Sequence, residues 1–213
     1  MRSYSPDISS VTDCERHAMA LMSLGIDPYS GSPLNCITRI TESFDGSQIG
    51  DKNLINDDVF AIFPLLKAGY SESDDIVYKA GLAIVAAQMN DGSWNSSIDM
   101  TSAAVAALSN VRTISGADAA ISNARAYLVG KQAPDGGFGS VFSTAWVAQA
   151  VASLGEDASS WKGSAGKSII DYLAEAQTDD GGFEQGASEG TRAWATSYVI
   201  PAISGRSWMS LLS

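Results

Sequence analysis

The sequence predicts an all-α fold in which about five helical hairpins form an α/α toroid. A short phrase returns along the chain at an almost constant interval, and two different kinds of helix flank each copy. The phrase contains Asp-Gly, and its four copies are spaced by 46, 44 and 45 residues, at Asp45-Gly46, Asp91-Gly92, Asp135-Gly136 and Asp180-Gly181. Such self-similarity at a fixed period is the signature of a repeat architecture.

The last three copies share Gln-x-x-Asp-Gly-(Ser/Gly)-(Trp/Phe), as QMNDGSW at 88–94, QAPDGGF at 132–138 and QTDDGGF at 177–183. The first copy, SFDGSQIGD, lacks the Gln and the aromatic residue. We expect each glycine to take the positive φ of a turn. We expect each Gln amide to bond across to the start of the next helix, and each aromatic ring to pack over the turn. The motif is therefore interpreted as scaffold.

The segment before each motif is amphipathic, as in GKSIIDYLAEAQ, whereas the segment after it is small and apolar nearly all round, as in STAWVAQAVASLG. A helix that is apolar on all sides is buried on all sides, so outer and inner helices alternate. Inner helices are predicted near 12–24, 56–68, 99–109, 142–154 and 190–203. Outer helices are predicted near 34–43, 74–89, 117–131 and 164–177, with SWMSLLS as a last short one. The pattern predicts a single toroid domain over 11–213, after a linker or truncated start at 1–10.

The composition excludes several classes of partner. The net charge of −11 argues against binding to nucleic acid, which needs a basic face. No segment is apolar for long enough to predict a transmembrane helix, and the first ten residues have no signal-peptide core.

Cys14 and Cys36 are the only cysteines. The hairpin geometry predicts that they lie ~15 Å apart, which is too far for a disulfide.

Gln-x-x-x-Gly-x-Trp/Phe after an outer helix resembles the QW-type repeat of the terpenoid cyclase and protein prenyltransferase superfamily. QMNDGSW fits that pattern, and QAPDGGF and QTDDGGF match the variant found in prenyltransferase β subunits. The resemblance covers nearly the whole chain and implies the α/α toroid. More narrowly, the chain is similar to the repeat region of bacterial cell-surface proteins. That likeness implies a domain of a larger, surface-exposed protein, with other domains of the same polypeptide as partners.

In such a toroid the N-terminal ends of the inner helices meet at one mouth of the central cavity, and the family's ligand contacts come from there. The ligand-binding candidates at these ends are Asp13, Asp99, Thr144, Trp146, Thr191 and Trp194, and the catalytic candidates are Asp57 and Asp58. The alternative is structural. Ser, Thr and Asp are the preferred helix caps, and Asp complements the helix dipole.

Three functions stay open. The first is a non-catalytic binding or structural domain with a small hydrophobic or isoprenoid ligand at the cavity mouth. The second is a terpenoid-cyclase-like or prenyltransferase-like enzyme. LINDDVFAI resembles the second half of the cyclase motif Asp-x-Asp-Asp, with Asp57 as proton donor and Asp58 beside it, but Ile55 replaces the first Asp. The third is a spacer with a filled centre. Because His17 does not match the prenyltransferase zinc arrangement, no metal is expected. Cobalamin carriers share the toroid, and the sequence neither supports nor excludes that ligand, so no cofactor is predicted.

Overall fold

The computed structural model describes residues 8–31, 34–184 and 186–212. Within these ranges the chain forms ten α-helices and isolated β-bridges but no strand, which confirms the all-α prediction. The helices are α1 (Val11–Ser23), α2 (Cys36–Glu42), α3 (Ile55–Lys67), α4 (Asp75–Ala86), α5 (Ile98–Leu108), α6 (Ala117–Lys131), α7 (Val141–Ser153), α8 (Ile169–Ala176), α9 (Glu189–Ile203) and α10 (Trp208–Leu211). Residues 1–7 of the predicted linker lie outside the described residues.

Each predicted helix is present, and the largest difference is at the start of α8. It begins at Ile169 rather than near 164, because Lys162 and Ser168 form an antiparallel bridge and the Ser168 side chain caps the helix. Three inner helices, α3, α5 and α7, are mainly buried, as expected, whereas α9 buries only Ala195, Val199 and Ala202 along its length. Every residue of α5 from Thr101 to Leu108 is buried, so this helix is enclosed on all sides.

The chain divides into two compact units, one comprising the described residues up to Ala86 with Leu212, and the other comprising Ala87–Leu211. In the N-terminal unit, α1 and α3 pack on each other, α2 packs on α1, and α4 packs on α3. In the C-terminal unit, α7 packs between α5 and α9, while α6 packs on α5 and α8 on α7. Inner helices therefore pack on inner ones within each unit. The outer helices α2, α4, α6 and α8 each pack on the inner helix before them, whereas α10 packs on α7.

The four Asp-Gly motifs form the same turn, including the first copy, which is degenerate in sequence. The turn glycines have φ values of 93°, 87°, 89° and 83°. In each copy the Asp side chain accepts a hydrogen bond from the backbone N–H two residues further on, at 2.8 to 3.1 Å. The positive φ predicted for these glycines is confirmed, and the shared geometry depends on Asp and Gly rather than on the complete motif.

Two of the motif glutamines, Gln88 and Gln132, close their turns and also bond the next outer segment. Gln88 Nε2 donates to Gly92 O (3.0 Å) and to Ala120 O of α6 (2.7 Å). Gln132 Nε2 donates to Gly136 O (2.9 Å) and to Trp161 O before α8 (2.9 Å). The expected bond to the start of the following inner helix is therefore wrong for both. Each glutamine leaves the end of an outer helix, so the nearest backbone belongs to the neighbouring outer segment.

The expected separation of Cys14 and Cys36 is also wrong. Both side chains are completely buried, and Cys14 is the neighbouring group that raises the pKa of the Cys36 thiol, so the two side chains lie next to each other between α1 and α2. The connection from Leu24 to Asn35 is long enough to run back beside α1 before α2 begins. The first turn of α2 therefore lies next to the first turns of α1, where a tight hairpin would have placed it at the far end.

Candidate functional site

In α3, α5 and α7 the fourth residue of the inner helix holds the motif loop that precedes it. Thr144 Oγ1 accepts a hydrogen bond from the N–H of Phe138 (2.9 Å) and donates one to Ser140 O (2.6 Å). Thr101 makes the same pair of bonds, accepting from Trp94 N–H at 3.1 Å. Both threonines are fully buried. The hydroxyl of Thr144, a ligand candidate, thus uses both its donor and its acceptor in bonds to the loop before its own helix.

Asp58 is the fourth residue of α3 and takes this role in the first repeat. Its Oδ1 accepts a hydrogen bond from the backbone N–H of Ile49 at 2.9 Å, whereas its buried Oδ2 has no hydrogen-bond partner among the described residues. Burial raises the pKa of Asp58 to about 7 against the opposing effect of the Ile49 N–H, and the charges of Asp57 and Asp45 add to the rise. Asp58 therefore holds its proton close to neutral pH.

Asp57 is fixed by two donors from different segments. The Thr12 hydroxyl of α1 donates to Oδ1, and the backbone N–H of Asp51 donates to Oδ2 at 2.9 Å. Gly50 lies so close that a Cβ at its position would be 2.1 Å from Asp57 Oδ2. The Asp57 side chain is only 4% exposed. The predicted proton donor is thus enclosed between α1 and the first motif loop.

Glu15 is a buried acid that the sequence analysis missed. Its side chain is completely buried on α1, and neither carboxylate oxygen has a partner in the described part of the chain. Burial, followed by the charges of Asp57 and Asp58, raises its pKa well above the usual value. A signal was available, because Glu15 lies on the helical stripe that joins Val11 to Ala18. Glu15, Asp57 and Asp58 form what we call the acidic cluster of the N-terminal unit.

The other polar candidates lie in helix caps. Asp13 Oδ2 accepts from the Ser10 N–H (3.0 Å) in a capping box, and the Ser10 hydrogen bonds lower the pKa of Asp13 to about 2. The Thr191 hydroxyl lies 2.9 Å from the Ser188 hydroxyl that caps α9. Asp99 lies in the first turn of α5 and keeps one buried oxygen, Oδ1, unpaired within the described chain. Asp13 and Thr191 therefore take part in helix capping, whereas no capping contact in the described ranges assigns such a role to Asp99.

Trp146 and Trp194 come together in a group of aromatic rings on α7, α9 and α10. Trp146 and Trp194 both contact Tyr198, with ring centroids 5.5 and 5.9 Å apart. Phe142 packs on Trp194 at 5.0 Å, and Trp208 packs edge-on against Trp146 at 4.4 Å. We call these five residues the aromatic cluster. The two candidate tryptophans are connected through Tyr198, with Phe142 and Trp208 beside them, and the sequence analysis missed these three rings.

The aromatic cluster is open to solvent on one side. Trp194 is 58% exposed, and the other four rings are half-buried. Phe142 and Trp146 are spaced by four residues on α7, and Trp194 and Tyr198 are spaced likewise on α9. Side chains four apart lie on one face of a helix, so this repeated aromatic pair was a readable signal for a shared surface.

A separate cavity of about 300 Å³ lies between α7, α8 and the end of α9. Its lining is mainly small and apolar, with Ala148, Ala152 and Ala202 from the inner helices and Ile170 from α8. Glu156 at its edge is already engaged, because Arg125 donates two hydrogen bonds to it at 2.8 and 2.9 Å. Asp157 also lines the cavity, and its side chain accepts a hydrogen bond from the backbone N–H of Ser159 at 2.8 Å.

Neither a metal-binding group nor a membrane-spanning helix is found among the described residues. Across residues 8–31, 34–184 and 186–212, no three His, Cys, Asp or Glu side chains gather in a way that could hold a metal ion. No helix in those ranges has both the length and the apolar character needed to cross a membrane. The sequence matches no protein-family model and no curated protein.

Proposed function

We propose that this chain is a non-catalytic ligand-binding domain of the α/α-toroid type and part of a larger, surface-exposed protein. Its ligand is a small hydrophobic molecule, with an isoprenoid as the best-fitting class, and it binds on the aromatic cluster. The exposure of Trp194 is the observation that carries this proposal. A large aromatic side chain that is more than half exposed, yet held by other rings, has an apolar face available to a ligand.

The cluster suits an apolar ligand energetically. Each Å² of apolar surface that a ligand removes from water contributes roughly 25 cal/mol. The rings are already ordered by their contacts with one another, so binding costs little side-chain entropy. The Tyr198 hydroxyl adds a polar group among carbon surfaces, which suits a prenyl chain that ends in an alcohol.

The packing inside each unit supports the toroid and the family likeness that accompanies it. Inner helices pack on inner helices, and the same Asp-Gly turn leads from each of the outer helices α2, α4, α6 and α8 into the next inner helix. An arrangement of this kind curves as repeats are added and can close on itself. The surface location rests on the likeness to bacterial cell-surface repeat regions alone.

A proton-donating enzyme is the second candidate, because Asp58 has a pKa of about 7 and would still carry a proton near neutral pH. Two features weigh against it. Asp58 is completely buried, and both oxygens of Asp57 are already bonded. If the enzyme function holds, the protein converts squalene or geranylgeranyl diphosphate to a cyclic product and Asp58→Asn abolishes that turnover. Absence of product with both substrates would exclude this candidate.

The binding proposal is tested by calorimetric titration of the protein with farnesol. We expect saturable binding by the wild type and an affinity at least about tenfold lower for Trp194→Ala, since one central aromatic residue can carry that much of the binding energy. Tyr78→Ala is the matched control, because Tyr78 is an exposed aromatic residue of α4 and lies outside the cluster. Wild-type protein that does not bind farnesol, or equal affinities for all three proteins, would contradict the proposal.

A further inference from the structure

The only two cysteines of the chain are in contact with each other. Cys14 lies in the second turn of α1 and Cys36 is the first residue of α2. Both side chains are completely buried, and the two thiols are neighbours at the interface where α1 and α2 pack on each other. They are separated by 22 positions in sequence, so the contact depends on the path of the connection from Leu24 to Asn35.

A second set of contacts fixes this arrangement of α1 and α2. The Arg39 guanidinium, one turn after Cys36, donates to Ile8 O (3.3 Å) and to Ser9 O (2.9 Å), immediately before α1. The side chains of Ile37 and Ile40, on the same helix, are also completely buried. Because Arg39 holds one end of α2 and apolar packing holds its face, the two thiols cannot drift apart without disrupting the unit.

We propose that Cys14 and Cys36 are a site of covalent modification, forming an intramolecular disulfide that ties α1 to α2 when the chain folds in the presence of a small-molecule disulfide. This site lies in the N-terminal unit and is independent of ligand binding by the aromatic cluster.

The chemistry is thiol–disulfide exchange with a disulfide such as oxidised glutathione. One cysteine thiolate attacks the oxidant, forms a mixed disulfide and releases one glutathione thiolate. The second cysteine thiolate then attacks the protein sulfur of the mixed disulfide and releases the second glutathione. The two cysteines lose two electrons and two protons in total, and the oxidant takes up both and leaves as two thiols.

The environment of the pair determines when the bond can form. Burial and the neighbouring Cys14 raise the pKa of the Cys36 thiol to about 12, so the folded protein presents almost no reactive thiolate at this position. Exchange therefore takes place in the unfolded or partly folded chain, before α2 packs on α1. Once closed, the disulfide is shielded from reductants by the same burial.

The expected consequence is a more stable N-terminal unit. A disulfide that closes a loop of this length restricts the unfolded chain and typically raises Tm by roughly 10 °C in a unit of this size. The test refolds the full chain from denaturant with oxidised or with reduced glutathione. Thiols are then titrated under denaturing conditions, the intact mass is recorded, and thermal unfolding is followed by circular dichroism.

After oxidative refolding we expect a monomer without titratable thiols, lighter than the reduced form by two hydrogen atoms, and with the higher Tm. The double variant Cys14→Ala/Cys36→Ala is the control, because it has no thiol that can form a mixed disulfide, and its Tm is expected to be the same in both buffers. Because the main comparison is between two states of the wild type, it stands even if this variant folds poorly. Two titratable thiols after oxidative refolding, a disulfide-linked dimer, or a lower Tm of the crosslinked form would each overturn the proposal.

Discussion

The carboxyl group of Asp58 accepts a hydrogen bond from the backbone N–H of Ile49 at 2.9 Å, in the place where α5 and α7 use a threonine. Thr101 and Thr144 receive the equivalent N–H from the aromatic residue of their motifs. Asp58, predicted as catalytic, and Thr144, predicted as ligand-binding, therefore make the same kind of structural contact, each with its own motif loop. Their common position, the fourth of an inner helix, connects the start of that helix to the turn before it.

Replacing Thr144 by Val removes the acceptor for the buried Phe138 N–H while preserving the shape of the side chain. We expect the free energy of unfolding to fall by about 1 to 3 kcal/mol, because a buried donor is left unpaired. Urea denaturation measures the change, and Thr144→Ser, which keeps the hydroxyl, should restore most of it. Thr196→Val is the control, since the Thr196 hydroxyl bonds only Arg192 O of its own helix. Equal losses for Thr144→Val and Thr196→Val would disprove this role.

The pKa of Asp58 predicts how stability varies with pH. A carboxyl whose folded pKa of about 7 exceeds its unfolded value of 3.8 stabilises the fold while protonated, and that stability is lost as pH rises through the folded pKa. For Asp58→Asn, the loss of stability between about pH 5 and about pH 8.5 should shrink by on the order of 2 to 3 kcal/mol. The amide still offers an oxygen to Ile49. Denaturation at both pH values checks this, with the exposed Glu42→Gln as charge-matched control. An unchanged pH profile for Asp58→Asn would refute the assignment.

Glu15 should be a position where the native residue reduces stability. Its carboxyl is completely buried and unpaired among the described residues, and a buried polar group without partners is costly. We expect Glu15→Met, which keeps the length of the side chain, to raise the free energy of unfolding by about 1 to 3 kcal/mol near neutral pH. Glu42→Met on the surface of α2 should change it little. A destabilised Glu15→Met protein would show that the acidic cluster contributes favourable interactions.

The motif glutamines should differ in importance according to their bonds. Gln132 donates both to its own turn and to Trp161 O, whereas the more exposed Gln177 donates only to Gly181 O. Gln132→Ala should therefore lower the free energy of unfolding by about 1 to 2 kcal/mol, and Gln177→Ala by about half as much or less. Thermal and urea unfolding of the two variants give the comparison. A larger loss of stability for Gln177→Ala than for Gln132→Ala would contradict a stabilising role for the bond from Gln132 to Trp161 O.

Gly136 and Gly139 separate two reasons for a glycine. Both have positive φ, 89° and 85°, but a Cβ at Gly136 would lie 2.2 Å from Ser168 O, whereas at Gly139 it would meet open space. Gly139→Ala should cost about 1 to 2 kcal/mol from backbone strain alone. Gly136→Ala should cost at least about 2 kcal/mol more, because the turn must move away from the cap of α8. Similar Tm values for the two variants would contradict close packing at Gly136.

Most of the fold could be predicted from the sequence. The apolar pattern placed all ten helices, and the four Asp-Gly pairs placed the turns that lead from an outer helix into the next inner one. The candidate site was predicted less well. Trp146 and Trp194 do share a cluster, but Phe142, Tyr198 and Trp208 complete it. Asp13 lies in the capping box of α1 and Thr144 holds the loop before α7, which agrees with the structural alternative that their residue types predicted.

The sequence by itself determined which segments are helical, which of them are dry, and where the chain turns, because these properties depend on residues within a few positions of one another. Only the tertiary structure decided that Cys36 returns to Cys14, that Glu15 is enclosed with Asp57 and Asp58, and that rings from three helices meet. These contacts join residues far apart in sequence. They depend on the path of the connections and on which helix faces pack together, and no local pattern of residues specifies either.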